Sequence, residues 1–151
     1  MLTPDLTKIH LRGSIFLECA VLNDETYPVL LPLASNYIIA HKVAPSFNVE
    51  DKLVVVDLLT TCTGLNEQGE ELAIGGRFRV HLTFEVDNLH ELLEVHPETG
   101  QSTPSEQLVL TLVSVGYSTS RGMIMSKTVD TVLQGFALPL LDVRTLSQPV
   151  Q

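Results

Sequence analysis

The chain has 151 residues, of which 44% are hydrophobic and 18% are charged. This length predicts a single domain over residues 1–151 with one sizeable core, and the composition excludes intrinsic disorder. The 18 acidic residues outnumber the 9 basic ones, giving a formal net charge of −9. Nucleic-acid binding depends on cations that contact phosphates, so this charge argues against a nucleic-acid partner and against binding to an anionic membrane. The negative charge is compatible with a basic partner surface, because residues 67–106 contain nine acidic residues and only two basic ones, Arg77 and Arg79.

The N-terminus and the cysteines bear on localisation. The start, MLTPDLTKIHLRG, has acid and proline where a signal peptide has basic residues and then an apolar run. The most apolar stretch, residues 27–44, is interrupted by prolines and polar residues and is shorter than the about 20 apolar residues that cross a bilayer. Cys19 and Cys62 form no Cys-x-x-Cys pair and are too few for a disulfide framework. Because free cysteines are usually buried, we expect two reduced, buried thiols. We therefore expect a cytoplasmic protein without membrane insertion.

Period-two alternation, which is typical of strands, marks residues 8–22 and 77–86, and a high density of β-branched residues predicts another strand over residues 52–63. Residues 77–86 alternate most regularly, and we expect one of their two faces to be buried. That face consists of Phe78, Val80, Leu82, Phe84 and Val86. Residues 107–115 also alternate but are apolar on both sides, so we predict a fourth, central strand there.

The segment between the first two predicted strands is apolar but contains Pro28, Pro32 and Pro45. Each proline removes a hydrogen-bond donor from a β-ladder, so residues 27–47 are predicted to form an edge strand, a crossover or the wall of a loop. Long connections of this kind are often functional.

Helical spacing begins after residue 118. The positions of Met125, Val129, Val132 and Leu133 predict a helix over residues 118–134 that packs on the sheet. Residues 118–120 are the predicted N-cap, Gly135 is the predicted C-cap glycine, and further short turns are expected at residues 87–94 and 142–146. Strands followed by a helix indicate an α+β fold, with a four-stranded antiparallel sheet, a long C-terminal helix and a short apolar tail.

Motifs that carry chemistry are sparse. His90-Glu91 begins like a zinc-protease helix, but position 94 is Glu94 where that motif requires a second histidine. The hydroxyls of residues 118–120 lack a nucleophile elbow and a following histidine, so helix capping explains them better than catalysis. We therefore predict no catalytic residue, no metal and no cofactor. The alternative is a metal site gathered in three dimensions from His81, His90, His96, Glu91 and Glu94.

The order of elements and two sequence patterns resemble the protein-export chaperone SecB and its relatives. The opening KIHLRGSIFLECAVLN is similar to the first-strand region of that family. The closing SVGYSTSRGMIMSKTVDTVLQGFALPLLDVRTL resembles its last strand and helix, with an arginine early in the helix and then Gly-Phe and Leu-Pro pairs. The matching positions here are Arg121, Gly135, Phe136, Leu138, Pro139 and Leu146. The chain differs from the family in a loop at residues 88–106 that looks longer, and in having no tryptophan.

The resemblance implies the SecB fold, a tetrameric assembly, binding of unfolded chains and an acidic contact with the motor SecA. We therefore expect a homodimer or homotetramer that holds non-native polypeptide in an apolar groove without catalysis. The expected binding residues are Tyr27, Leu31, Tyr37, Phe47, Leu138 and Leu141. One alternative is a structural or regulatory subunit that keeps the fold without general chaperone activity. A hot-dog-type binding or hydrolytic domain is disfavoured, because its long helix comes early in the chain.

Overall fold

The computed structural model describes residues 2–23 and 34–146. These residues form four long strands, β1 (Ile9–Asn23), β2 (Asn36–Asn48), β3 (Leu53–Leu65) and β4 (Glu71–Val86). A short hairpin of β5 (Leu93–Val95) and β6 (Ser102–Pro104) follows, and then one long helix, α1 (Glu106–Thr128). Short 3-10 turns lie at Leu6–Lys8, Leu89–Leu92 and Val143–Thr145. The prediction of an α+β fold with a four-stranded antiparallel sheet, a helix after it and an apolar tail is confirmed.

The four long strands form one antiparallel sheet in the order β1-β4-β3-β2. The first two strands of the chain are therefore the two edges of the sheet, and β3 and β4 are its centre. The alternating face predicted for β4 is confirmed, because the five apolar side chains from Phe78 to Val86 each expose 1% or less. Val54, Val56 and Leu58 of β3 are equally buried on the same face.

The predicted fourth strand at residues 107–115 is wrong, because these residues form the first half of α1. The buried helix residues Leu108, Leu112 and Ile124 recur at helical spacing, although the same stretch also satisfies a period of two. Short apolar runs rich in valine and leucine do not distinguish the two periods. The N-cap is Ser105, whose Oγ accepts a hydrogen bond from the Leu108 amide at 3.3 Å, and not residues 118–120, which lie inside the helix.

The end of α1 also differs from the prediction. The helix stops at Thr128, and Asp130 follows with a φ of 60° in the left-handed region. Two residues of the predicted packing face, Met125 and Val129, are 44% and 57% exposed. Gly135 does have a positive φ of 84°, but in a turn beyond the helix. The packing face is instead the one that carries Leu112, Tyr117 and Ile124.

The fourth strand of the sheet is β2, within the segment predicted as an edge, a crossover or a loop wall. Pro45 lies in β2 opposite Val56 of β3. A proline is tolerated there because β2 is an edge strand, so a missing donor on its outer side breaks no ladder bond. The edge interpretation is confirmed for residues 36–48, while residues 24–33 lie outside the described ranges.

One other expectation needs correction. Cys62 is buried, but Cys19 on β1 is exposed, because β1 is an edge strand. Among the described residues, helix α1 is long and apolar enough to cross a membrane by length and composition, a test that core helices also pass. Its buried side chains pack against β3 and β4.

Candidate functional site

Residues 129–146, here called the tail, return across the helix-facing side of the sheet. Leu133, Phe136 and Leu138 of the tail are buried in a cluster with Leu58, Phe78 and Ile124. Tyr37, Ile39 and Val43 of β2 are half-buried and pack on the same cluster. The tail therefore seals one flank of the core against an edge strand.

Two side chains of α1 hold the main chain of the tail. The Tyr117 hydroxyl donates a hydrogen bond to the carbonyl of Pro139 at 2.7 Å, and Arg121 Nε donates one to the carbonyl of Leu138, also at 2.7 Å. These bonds fix an extended segment in which Leu138 points inward. The next two apolar residues lie at the surface, with Leu140 87% exposed and Leu141 half-buried.

The contact between β2 and the tail is aromatic and apolar. The rings of Tyr37 and Phe136 meet edge to face, with centroids 4.8 Å apart, a geometry that stabilises aromatic pairs. Phe136 is buried, whereas Tyr37 and Ile39 of β2 and Leu140 and Leu141 of the tail are half-buried or exposed. These four residues are the apolar strip here called the tail surface.

A polar group lies beneath this strip. His41 on β2 is half-buried, and its Nδ1 lies 3.0 Å from Thr60 Oγ1. The rings of His41 and Tyr117 pack edge to face, with their centroids 5.3 Å apart. Burial lowers the pKa of His41 and raises the pKa values of Tyr37 and Tyr117. Burial also raises the pKa of the nearby Cys62 thiol to about 11. These groups are therefore uncharged near neutral pH, and the site suits apolar ligands better than nucleophilic chemistry.

The structure brings together only part of the predicted binding set. Tyr37, Leu138 and Leu141 converge where β2 meets the tail, but Leu138 is 1% exposed and belongs to the core. Phe47 is 40% exposed, but it lies ten residues from Tyr37 along β2, a distance of about 33 Å in a strand, and is not part of this site. Tyr27 and Leu31 lie outside the described residues.

The sequence does not assign four participants to this site, namely Leu140, Ile39, Tyr117 and Arg121. Leu140 neighbours Leu141, but the exposed side of the tail has no periodic signal. The available signal for Ile39 is the alternation of β2, which the prolines of the segment obscure. Tyr117 and Arg121 act on the tail through hydrogen bonds, which no spacing reveals.

The described residues do not provide the geometry that the alternative metal site requires. Over residues 2–23 and 34–146, no three His, Cys, Asp or Glu side chains are placed to hold a metal ion. His81 lies near Asp57 on the outer face of the sheet, 3.9 Å away, whereas His90 and His96 belong to the segment after β4.

The acids on the outer face of the sheet are paired with arginines. Asp57 accepts two hydrogen bonds from Arg79 Nε and one from Nη2 at 2.7–3.1 Å, and Glu85 accepts one from Arg12 at 2.6 Å. This face is therefore nearly neutral. Among the described residues, most acids without an arginine partner lie at the ends of the strands, in the β2–β3 turn, at the tip of the β3–β4 hairpin and along residues 87–106.

Further exposed apolar side chains lie along β1 and on the solvent side of α1. Leu11, Ile15 and Leu17 of β1 are 44–56% exposed, and Val115 of α1 is 42% exposed. A groove of about 480 Å³ runs between β1 and the C-terminal half of α1, with Phe16 on one side and the small residues Gly122 and Ser126 on the other.

No protein-family model and no curated protein matches this sequence. The structure is similar to that of the Mycobacterium tuberculosis Rv1957 SecB-like chaperone, solved in complex with a ChAD peptide from the Rv1956 HigA1 antitoxin. The TM-score is 0.59 at 16% sequence identity, and the match covers 90% of this chain and 93% of that chain. Sequence identity this low supports the fold alone. The chain therefore has a SecB-like fold and is a divergent example of it.

Proposed function

We propose that the protein holds segments of non-native polypeptide on the tail surface, as a chaperone-like binding protein without catalytic activity. The observation that carries the proposal is an apolar strip beside β2, a strand that pairs only with β3 among the described residues, with Leu140 87% exposed beside Leu141. The SecB-like neighbour is itself bound to a peptide, which supports the same use of the fold here. Because apolar contact is non-directional, such a surface accepts many sequences.

The edge of β2 offers a second component of binding. Within the described residues β2 pairs with β3 alone, so its other side presents main-chain donors and acceptors. An extended client segment can add there as a further strand, which supplies affinity that does not depend on side-chain sequence.

We also propose that the chain works as a homodimer or homotetramer. The support is the exposed apolar surface of β1 and α1, which lies away from the tail surface. An exposed apolar edge strand is a liability unless a partner covers it. Light scattering at micromolar concentration is expected to give a mass of at least twice the 16.6 kDa of the chain; a monomer mass contradicts this proposal.

A second candidate function is a structural or regulatory subunit that has lost general chaperone activity. The observation that favours it is the sealing of the tail, since Phe136 and Leu138 are 3% and 1% exposed and two hydrogen bonds hold the main chain. In that case the tail surface closes the core and binds no client.

Suppression of aggregation separates the two candidates. A chemically unfolded client is diluted into buffer with and without the protein, and light scattering is followed over time. We expect wild type to suppress aggregation and Tyr37→Ser and Leu140→Ser to suppress it less. Leu6→Ser is the matched control, because Leu6 is 68% exposed and lies outside the tail surface. Circular dichroism verifies that each variant folds. If wild type protects no client, the subunit function replaces the chaperone-like one.

A further inference from the structure

A depression of about 320 Å³ lies on the outer face of the sheet, on the side opposite helix α1 and the tail. It is lined by Lys42 and Ala44 of β2, Asp57 and Leu59 of β3, and Arg77 and Arg79 of β4. Lys42, Leu59 and Arg79 form one row across the sheet, because Lys42 pairs with Leu59 and Leu59 pairs with Arg79. Arg77 lies two residues from Arg79 along β4, on the same face. We call this feature the cationic depression.

Basic residues are enriched in the sheet although the chain as a whole is acidic. The four long strands contain four of the nine lysines and arginines but only four of the eighteen acids. The remainder of the chain therefore has five basic and fourteen acidic residues. At the cationic depression the local balance is positive, since Lys42, Arg77 and Arg79 outnumber the two acids that contact them, Glu18 and Asp57.

The cations of the depression keep hydrogen-bond donors that the neighbouring acids do not use. A guanidinium has five N–H donors, of which Arg77 gives only Nε–H to Glu18. Arg79 gives Nε and one N–H of Nη2 to Asp57. Within residues 2–23 and 34–146, Lys42 is exposed and forms no ion pair. A carboxylate can therefore bind Lys42 and the remaining guanidinium N–H groups without breaking an ion pair of the sheet.

We propose that the cationic depression docks an extended polypeptide segment that carries aspartate or glutamate at alternate positions. Alternate residues of an extended chain lie about 6.6–6.8 Å apart on one side, which matches the spacing of Arg77 and Arg79 along β4. Lys42 is two strands away, at about 10 Å between backbones, and its long side chain reaches toward the same segment. Leu59 lies between these cations as an apolar floor for the methylene groups of the acids.

Charge complementarity selects this occupant over two others. One exposed ion pair contributes little affinity, so a single small anion gains less than a segment whose acids meet several cations. A second copy of this chain is disfavoured by long-range repulsion, because each copy carries a net charge of −9. The proposal does not rest on client binding at the tail surface, since Tyr37 and Ile39 lie on the opposite face of β2.

Defined peptides test the proposal on the wild-type protein. The probe is a rhodamine-labelled peptide with the core Glu-Ala-Glu-Ala-Glu. One twin replaces the three glutamates by glutamine, and a second twin, Ala-Glu-Glu-Glu-Ala, places them at adjacent positions. Fluorescence anisotropy is expected to show saturable binding of the probe, binding at least about tenfold weaker for the glutamine twin, and severalfold weaker binding for the adjacent twin. Affinity should fall as salt rises from about 0.02 to about 0.2 M, because exposed charges are screened.

Protein variants then locate the site. Lys42→Gln should weaken binding severalfold, whereas Lys127→Gln, which removes an exposed cation of α1, should change it by at most about twofold. Glu18→Gln should tighten binding severalfold, because it frees Arg77 from its acidic partner. Its matched control is Glu98→Gln, the same change of charge at an exposed position between β5 and β6, which should have at most about a twofold effect.

Several outcomes overturn the proposal. They are no saturation below about 1 mM, equal binding of either twin, an equal loss in Lys42→Gln and Lys127→Gln, and an equal gain in Glu18→Gln and Glu98→Gln. Complete displacement of the probe by about 10 mM inorganic phosphate at constant ionic strength identifies a small anion as the occupant instead. A Lys42→Gln variant that changes the oligomeric mass, with no peptide bound by wild type, identifies a second copy. The peptides are compared on the wild-type protein, so the test stands even if a variant does not fold.

Discussion

The central strands β3 and β4 differ from the edge strands β1 and β2 in what their apolar side chains contact. On the central pair, every helix-facing residue from Val54 to Leu58 and from Phe78 to Val86 that is apolar exposes 1% or less. On the edge strands, residues of the same face such as Phe16, Ile39 and Val43 are only half-buried. On the outer face of these strands, Ile15, Leu22 and Ile38 are 56%, 58% and 49% exposed. The centre of the sheet therefore stabilises the fold, and its edges leave apolar surface for partners.

The largest expected effect is on the central pair. Phe84 on β4 is 1% exposed within the core cluster. Phe84→Ala should lower the free energy of unfolding by about 3–5 kcal/mol, through lost burial and the cavity left behind. Urea unfolding measures this change.

The comparison variant on an edge strand is Ile38→Ala, since Ile38 is 49% exposed on the outer face of β2. It should cost less than about 1 kcal/mol, as is usual for exposed positions. If Phe84→Ala costs less than about 1 kcal/mol as well, the contrast between centre and edge is wrong.

A smaller effect is expected where the tail meets α1. Tyr117→Phe removes the hydroxyl that donates to the carbonyl of Pro139 and keeps the ring. The free energy of unfolding should fall by about 0.5–1.5 kcal/mol, the usual net value of one hydrogen bond. Limited proteolysis should then cut the tail faster near Leu140. An unchanged cleavage rate means that the hydroxyl does not hold the tail.

The smallest expected effect is a pH dependence beneath the tail surface. Burial lowers the pKa of His41 below its ordinary value of 6.5. Its nearest groups are Thr60 of β3 and Tyr117 of α1, and the neighbouring Arg121 on α1, which binds the tail, is itself a cation. Between the folded and unfolded pKa values, the unfolded chain binds more protons. The stability that neutral His41 provides is therefore complete above about pH 6.5 and declines as the pH falls below it.

Thermal unfolding at pH 7.5 and pH 5.5 tests whether stability falls on acidification as His41 becomes protonated. The fall in Tm on acidification should be smaller in His41→Gln than in wild type, because glutamine does not titrate. His90→Gln is the control, since the His90 side chain is 67% exposed. An equal fall in wild type and His41→Gln assigns the pH dependence to other groups.

Much of the fold was predictable from alternation. β4 and its buried face followed from strict period-two spacing, because one face of an antiparallel strand packs on the core. The first half of α1 was not predictable in this way, since leucine and valine at residues 108–115 fit both periods and the choice depends on packing against β3 and β4. The edge position of β2 could be inferred from Pro45, but not its pairing with β3.

The candidate site was predictable in part. The resemblance to SecB placed Tyr37, Leu138 and Leu141 in one region, and the structure brings them together. It did not separate a core residue such as Leu138 from the surface residue Leu140, because burial depends on hydrogen bonds from Tyr117 and Arg121 that fix the tail. Phe47 lies apart from this site because β2 runs unbroken over Asn36–Asn48 and separates it from Tyr37 by ten residues, which the sequence alone does not reveal.

Hydrogen–deuterium exchange with and without an unfolded client tests the central claim most directly. We expect the client to slow exchange at residues 36–44 of β2 and 131–143 of the tail, and to leave β3 and β4 unchanged. Protection confined to those edge segments supports polypeptide binding at the tail surface. Unchanged exchange in β2 and the tail, with a client present that is demonstrably bound, contradicts it.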